Sequence, residues 1–69
     1  MTKQHYAATI DAAITKASES KSRETLMVGD VEIYAYPHRD GVAWGLNAAD
    51  GRNILRGIRT PEGQDIAEG

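Results

Sequence analysis

Thr25-Leu26-Met27-Val28-Gly29-Asp30-Val31-Glu32-Ile33-Tyr34-Ala35-Tyr36 is the stretch whose reading decides the fold. Two runs rich in β-branched and aromatic residues flank Gly-Asp, a pair suited to a tight hairpin turn. A two-residue loop sets Val28 opposite Val31 and Leu26 opposite Ile33. Those four residues then share one face with Ala35, so turn chemistry and alternation agree. The period of two sends Met27, Glu32, Tyr34 and Tyr36 to the other face.

Downstream, Pro37 stops the second strand and His38-Arg39-Asp40-Gly41 supplies a turn. A third strand is expected over 42–47, with Asn47-Ala48-Ala49-Asp50-Gly51 as the next turn and a fourth strand over 53–58. Here the sequence leaves two registers open. A two-residue Asp-Gly turn puts Trp44 and Leu46 beside Val31 and Ile33. A three-residue loop with a glycine bulge moves them to the tyrosine side, and the same choice decides whether Ile54 and Ile58 or Leu55 faces inward. At the end, Thr60-Pro61-Glu62 has the signature of a helix start: Thr as cap, Pro in the first turn, an acid at the positive end. The tail 60–69 is therefore expected to form a short C-terminal helix or to fray.

Upstream, Tyr6, Ile10, Ile14 and Ala17 recur at helical spacing, with Ala7 and Ala13 beside them, so a helix is expected over about 3–19. Thr2 is its expected N-cap. The stripe is rich in alanine, which suits close approach to a sheet, and Ser18-Glu19-Ser20-Lys21-Ser22 breaks it into a linker. The fold class is thus α+β: an N-terminal helix packed on a three- to four-stranded antiparallel meander, one small domain over 1–69.

Bulk composition narrows the functional classes. The chain has 69 residues, near the lower limit for independent folding, and no Cys, so neither a disulfide nor a thiolate metal site can reinforce it. Self-association or a partner is the expected supplement. A formal charge of −2 gives no general affinity for nucleic acid or membrane. No apolar run is long enough for a bilayer, the start has no secretory h-region, and a cytoplasmic location is expected.

Catalytic parts are scarce. His5 and His38 lack the flanking ligands a metal needs, and only Asp40 is an acid close to His38 in sequence. His38-Arg39-Asp40 spells a kinase catalytic-loop tripeptide, but the chain is far too short for the glycine-rich loop, strand lysine and metal-binding acids around it. The serines at 18, 20 and 22 sit in a polar linker, and no glycine run cradles phosphate. We therefore expect no enzyme, no catalytic residue, no metal and no cofactor.

Two binding readings remain. In the first, Tyr34, Tyr36 and Met27 occupy a sheet face that a single helix cannot cover, joined by Trp44 in one register. Arg39 and Arg56 then provide a charged rim, since Tyr, Trp, Met and Arg are enriched in interfaces. The bland counterpart is that the tail folds over this face with Ile66 as its plug. On the first reading the protein is a small protein-binding module or inhibitor that occludes a partner's surface, or a homodimer. By analogy of size and charge alone, such proteins are often encoded by phages or mobile elements. The second reading is single-stranded or structured nucleic-acid binding through Arg39, Arg52, Arg56 and Arg59 with the aromatics. The acidic tail (Glu62, Asp65, Glu68) and the negative net charge count against it.

Overall fold

The computed structural model describes residues 3–68. A 3-10 turn, Lys3–Tyr6, leads into helix α1, Ala7–Ser20. Five strands follow: β1 Glu24–Val28, β2 Val31–His38, β3 Gly41–Asn47, β4 Asn53–Arg59 and β5 Asp65–Glu68. They form one antiparallel sheet in sequence order. The expected architecture of one helix on an antiparallel meander is what the chain adopts, with one strand more than expected.

The helix buries Ile10, Ala13, Ile14 and Ala17, the stripe that its spacing marks. Two of these four are alanine and two are β-branched, and α1 can sit low across β1, β2 and β3. It ends at Lys21, whose φ of 56° is left-handed and whose N–H bonds the Ala17 carbonyl. Tyr6 stands at the N-cap position without a side-chain cap bond. The expected cap, Thr2, lies outside the described residues.

Register settles the faces. Val28 pairs with Val31 and Leu26 with Ile33, as the Gly29-Asp30 turn predicts. His38 pairs with Gly41, so the next two-residue turn is Arg39-Asp40 and not Asp40-Gly41. The parity is the same, and Ile33 faces Leu46 while Ala35 faces Trp44. Trp44 and Leu46, each 1% exposed, therefore lie under the helix. In β4, Leu46 pairs with Leu55 and Asn47 with Asn53, leaving Ile54 as the extra residue of a bulge. Leu55 consequently packs on the core and Ile58 faces away.

The expectation of a C-terminal helix is overturned. Thr60 N–H donates to the Gln64 carbonyl and Gly63 N–H to the Thr60 carbonyl. Gly63 takes φ +89°, a left-handed turn residue, and reverses the chain before a helix can propagate. The Thr60 hydroxyl does accept a local amide, that of Gln64 at 3.1 Å, but it closes a hairpin loop rather than opening a helix. Ile66 then pairs with Ile58 at the sheet edge and stays 57% exposed, so it does not plug the tyrosine face.

Arg59 ties the late strands to the helix. Its Nε and Nη2 donate to the two carboxylate oxygens of Asp65 at 2.8 and 3.0 Å, and its Nη1 donates to Asp11 of α1. The hydrogen bonds to Asp65 chiefly, then those to Asp11, raise its proton affinity against the opposing effect of burial. A raised base stabilises the fold at every pH below its ordinary value, so this contribution is constant through the neutral range. Substituting Arg59→Met should cost about 2 kcal/mol, because the Asp65 carboxylate, 12% exposed, loses its fork while remaining desolvated. The pair Arg59→Met with Asp65→Leu should recover most of that loss in urea unfolding.

Candidate functional site

The face opposite α1 is built from rungs that the register aligns across the sheet. Met27, Glu32, Asn47 and Asn53 form one rung. Thr25, Tyr34, Gly45 and Arg56 form the next, and Tyr36, Ala43, Ile58 and Ile66 the third. Beyond Met27 the first rung is polar and hydrogen-bonded: Asn47 Nδ2 donates to Glu32 Oε1 at 2.9 Å, and Asn53 Nδ2 to Asn47 Oδ1 at 3.1 Å. The third is apolar from β2 to β5, with Tyr36 38% and Ile66 57% exposed.

The second rung holds the aromatic centre. A Cβ at Gly45 would stand 2.3 Å from the Tyr34 hydroxyl oxygen, so the tyrosine ring lies flat over the bare glycine backbone. The register assigns this seat to Tyr34 rather than to Tyr36. The hydroxyl reaches β4, where it accepts from Asn53 Nδ2 at 3.3 Å. The Tyr36 ring stacks alongside with centroids 6.2 Å apart and planes within 7°. The Arg23 guanidinium carbon sits 4.6 Å from the Tyr34 centroid. Cation, ring and ring thus make a short pre-ordered ladder, and ordering it beforehand lowers the entropy cost of binding on it.

Beside the ladder is a shallow depression of about 150 Å³ bordered by Tyr34, Tyr36, His38, Ala43, Arg56 and Ile58. Pockets for small organic ligands usually run to several hundred Å³. This one is sized for a single protruding side chain. Trp44 and Gly57 also line it, Trp44 only from beneath.

Of the six residues singled out by sequence for partner binding, Met27, Tyr34, Tyr36 and Arg56 share this face. Met27 is 61% exposed. Trp44 is corrected: opposite Gly57 and Ala35 it is a core residue, its ring over the Gly57 backbone, where a Cβ would come within 2.9 Å of the ring. Arg39 sits in the β2–β3 turn, its side chain 89% exposed and its Nε 4.0 Å from Asp40. It is at an end of the sheet, not on the rungs. Arg23, Ile58 and Ile66 belong to the face and were not among the six. Alternation along β4 and a fifth strand would have been needed to find the isoleucines.

The four arginines of the second half do not converge. Arg39 and Arg52 occupy turns at opposite ends of β3, Arg52 with its Nε 3.1 Å from Asp50. Arg59 is held by Asp65 and Asp11, and only Arg56 lies on the tyrosine face. Among the described residues there is no cluster of three or more potential metal ligands. No helix among them is long and apolar enough to cross a membrane. Comparison with known proteins finds no matching family model, no similar curated protein and no similar solved structure.

Proposed function

We propose that the protein is a non-enzymatic binding module or inhibitor that acts by covering a partner's surface with the sheet face opposite α1. The observation that carries this reading is the third rung, apolar from Tyr36 to Ile66, beside the Tyr34–Tyr36 stack and with no described element packed over it. A sheet face that merely meets water is usually polar. This one combines Tyr, Ile and Met with Arg23 and Arg56 on the margins, the composition of binding hot spots. The depression bordered by Tyr36 and Ile58 would receive one anchoring side chain of the partner. A cytoplasmic setting, and a phage or mobile-element origin, belong to this reading by analogy of size and charge.

The test is capture of a partner by the tagged chain, followed by titration with Tyr36→Ala and Ile66→Ala variants. Each should weaken binding by about tenfold or more. Both residues are substantially exposed, so unfolding stability should fall by no more than about 1 kcal/mol. Undiminished affinity in folded variants would sink the proposal.

A nucleic-acid reading retains one supporting observation, the Arg23–Tyr34–Tyr36 ladder with Arg56 on the same face, since stacked rings and cations can hold single strands. The dispersal of Arg39, Arg52 and Arg59 makes it the weaker of the two. A gel shift at low salt with single-stranded DNA or RNA that vanishes at high salt would favour it over protein binding.

A further inference from the structure

The arginines of this chain divide by place. Arg39 is paired to Asp40, Arg52 to Asp50, and Arg59 to Asp65 and Asp11, so each is neutralised where it stands. Arg23 and Arg56 differ: among the described side chains neither has a carboxylate within ion-pair distance. Both belong to the tyrosine face, Arg23 over the Tyr34 ring and Arg56 across Gly45 from it. Glu32, the acid of the first rung, is half-buried and accepts from Asn47. A chain of net charge −2 therefore turns unpaired cations toward one side. The depression beside them is donor-rich. His38 Nδ1 accepts the Asp40 N–H at 3.1 Å, which leaves the neutral ring's proton on Nε2. The Tyr34 oxygen accepts from Asn53, so its own proton remains for another acceptor. No side chain bordering the depression is a carboxylate.

We infer, resting on the covering role proposed above, that the partner presents an acidic protein segment to this face. One carboxylate enters the depression against Arg56, and an adjacent apolar side chain lies on Tyr36 and Ile58. Desolvation carries the choice. A partner that closes over this face strips water from Arg56, and a guanidinium covered without an anion is strongly unfavourable. No described side chain of the chain itself supplies that anion, so the partner must. A carboxylate pairs with a guanidinium through parallel hydrogen bonds, and the neutral donors of His38 and Tyr34 extend the same welcome to oxygen. A protein acid fits better than nucleic-acid phosphate for two reasons. The rung next to Arg56 is apolar from Tyr36 to Ile66, where a phosphate backbone would gain nothing. The net charge of −2 also repels a polyanion as a whole, but not a segment with one or two acids among apolar residues.

Titration of the isotope-labelled chain with the end-blocked peptide Gly-Glu-Ser-Leu-Ser-Glu-Gly, followed by amide chemical shifts, tests it. In an extended peptide both Glu and the Leu project to one side. We expect saturable shifts at Tyr34, Tyr36, Arg56 and Ile58. Binding at low salt should be about tenfold tighter than for the counterpart with Gln in place of Glu, the gap narrowing as salt rises. Arg56→Gln and Arg23→Gln should each erase about threefold of that preference. Arg56→Gln should also leave the unfolding midpoint unmoved, since Arg56 is exposed and holds no carboxylate among the described side chains. Glu68→Gln, which removes the acid opposite Arg56 in the β4–β5 register, should tighten the Glu peptide. Arg52→Gln should change nothing, its arginine being paired to Asp50 in the β3–β4 turn. Equal binding of the Gln and Glu peptides at the face overturns the inference and leaves the covering role standing. Shifts centred elsewhere, or none with either peptide, overturn it too, and the covering role is then judged by the Tyr36→Ala and Ile66→Ala titrations alone. Oligo-thymidylate that displaces the Glu peptide at a lower concentration than the peptide needs would assign these cations to phosphate and overturn it as well.

Discussion

Replacing Trp44 with Ala is expected to remove about 3–5 kcal/mol of stability, the usual loss for a buried tryptophan. At roughly 0.05–0.15 kcal/mol per residue, a chain of this length has only about 3–10 kcal/mol in all. The site explains why the loss should sit at the high end. Trp44 is 1% exposed, and its strand neighbours are Ala35 on one side and Gly57 on the other. The core above them is lined in part by Ala13 and Ala17. The flanking Ala35 and Gly57 offer little side chain to fill the vacated space from within the sheet, so the cavity closes only in part. Urea unfolding followed by far-ultraviolet circular dichroism should show the midpoint near zero denaturant. A loss below about 1 kcal/mol would mean that the indole is not a keystone of the core. Tyr36→Ala gives the contrast, since it leaves the fold intact while stripping the binding face.

That contrast shows which parts of the molecule were legible in the sequence. The Gly29-Asp30 hairpin was legible because two independent signals, turn chemistry and alternation, choose the same register. That register alone puts Tyr34 and Tyr36 on the side away from the helix. Trp44 was not legible, because both registers of the following turn satisfied the alternation and an aromatic fits a core and an interface equally well. β5 was missed for a different reason. Thr60-Pro61-Glu62 satisfies the rules for a helix start, and the Thr60 hydroxyl does bond an amide. The deciding residue is Gly63. Ala48-Ala49-Asp50-Gly51-Arg52 and Thr60-Pro61-Glu62-Gly63-Gln64 make the same loop: the first residue's N–H bonds the fifth carbonyl, the glycine's N–H bonds the first carbonyl, and φ at the glycine is +89° in both. Glycine at the fourth place of each segment was the available signal. Without β5 the tail had no partner, and the apolar rung could not be seen to run on to Ile66.

Gly41→Ala is expected to cost about 3 kcal/mol or more, far above Gly51→Ala and Gly63→Ala at about 1 kcal/mol each. All three glycines have positive φ, but a Cβ at Gly51 or Gly63 points into open space. At Gly41, with φ +143°, it would stand 1.9 Å from the Arg59 carbonyl oxygen and 3.1 Å from Thr60 Cα. Those are backbone atoms, and no rotamer change relieves the collision. The start of β3 must leave the end of β4, which moves Arg59 and with it the tie to Asp65 and Asp11. The β5 amides should then exchange with solvent before those of β1 to β3, and urea titrations of the three variants should separate Gly41→Ala from the other two. Equal losses at all three positions would show that only φ matters and that the close approach to Arg59 is unimportant. The position bears on function as well as stability. Gly41 is the rung opposite His38, and that pairing puts Trp44 under the helix and leaves Tyr34, Tyr36 and Ile58 on the open side. A side chain there presses on the one register that separates the core from the face.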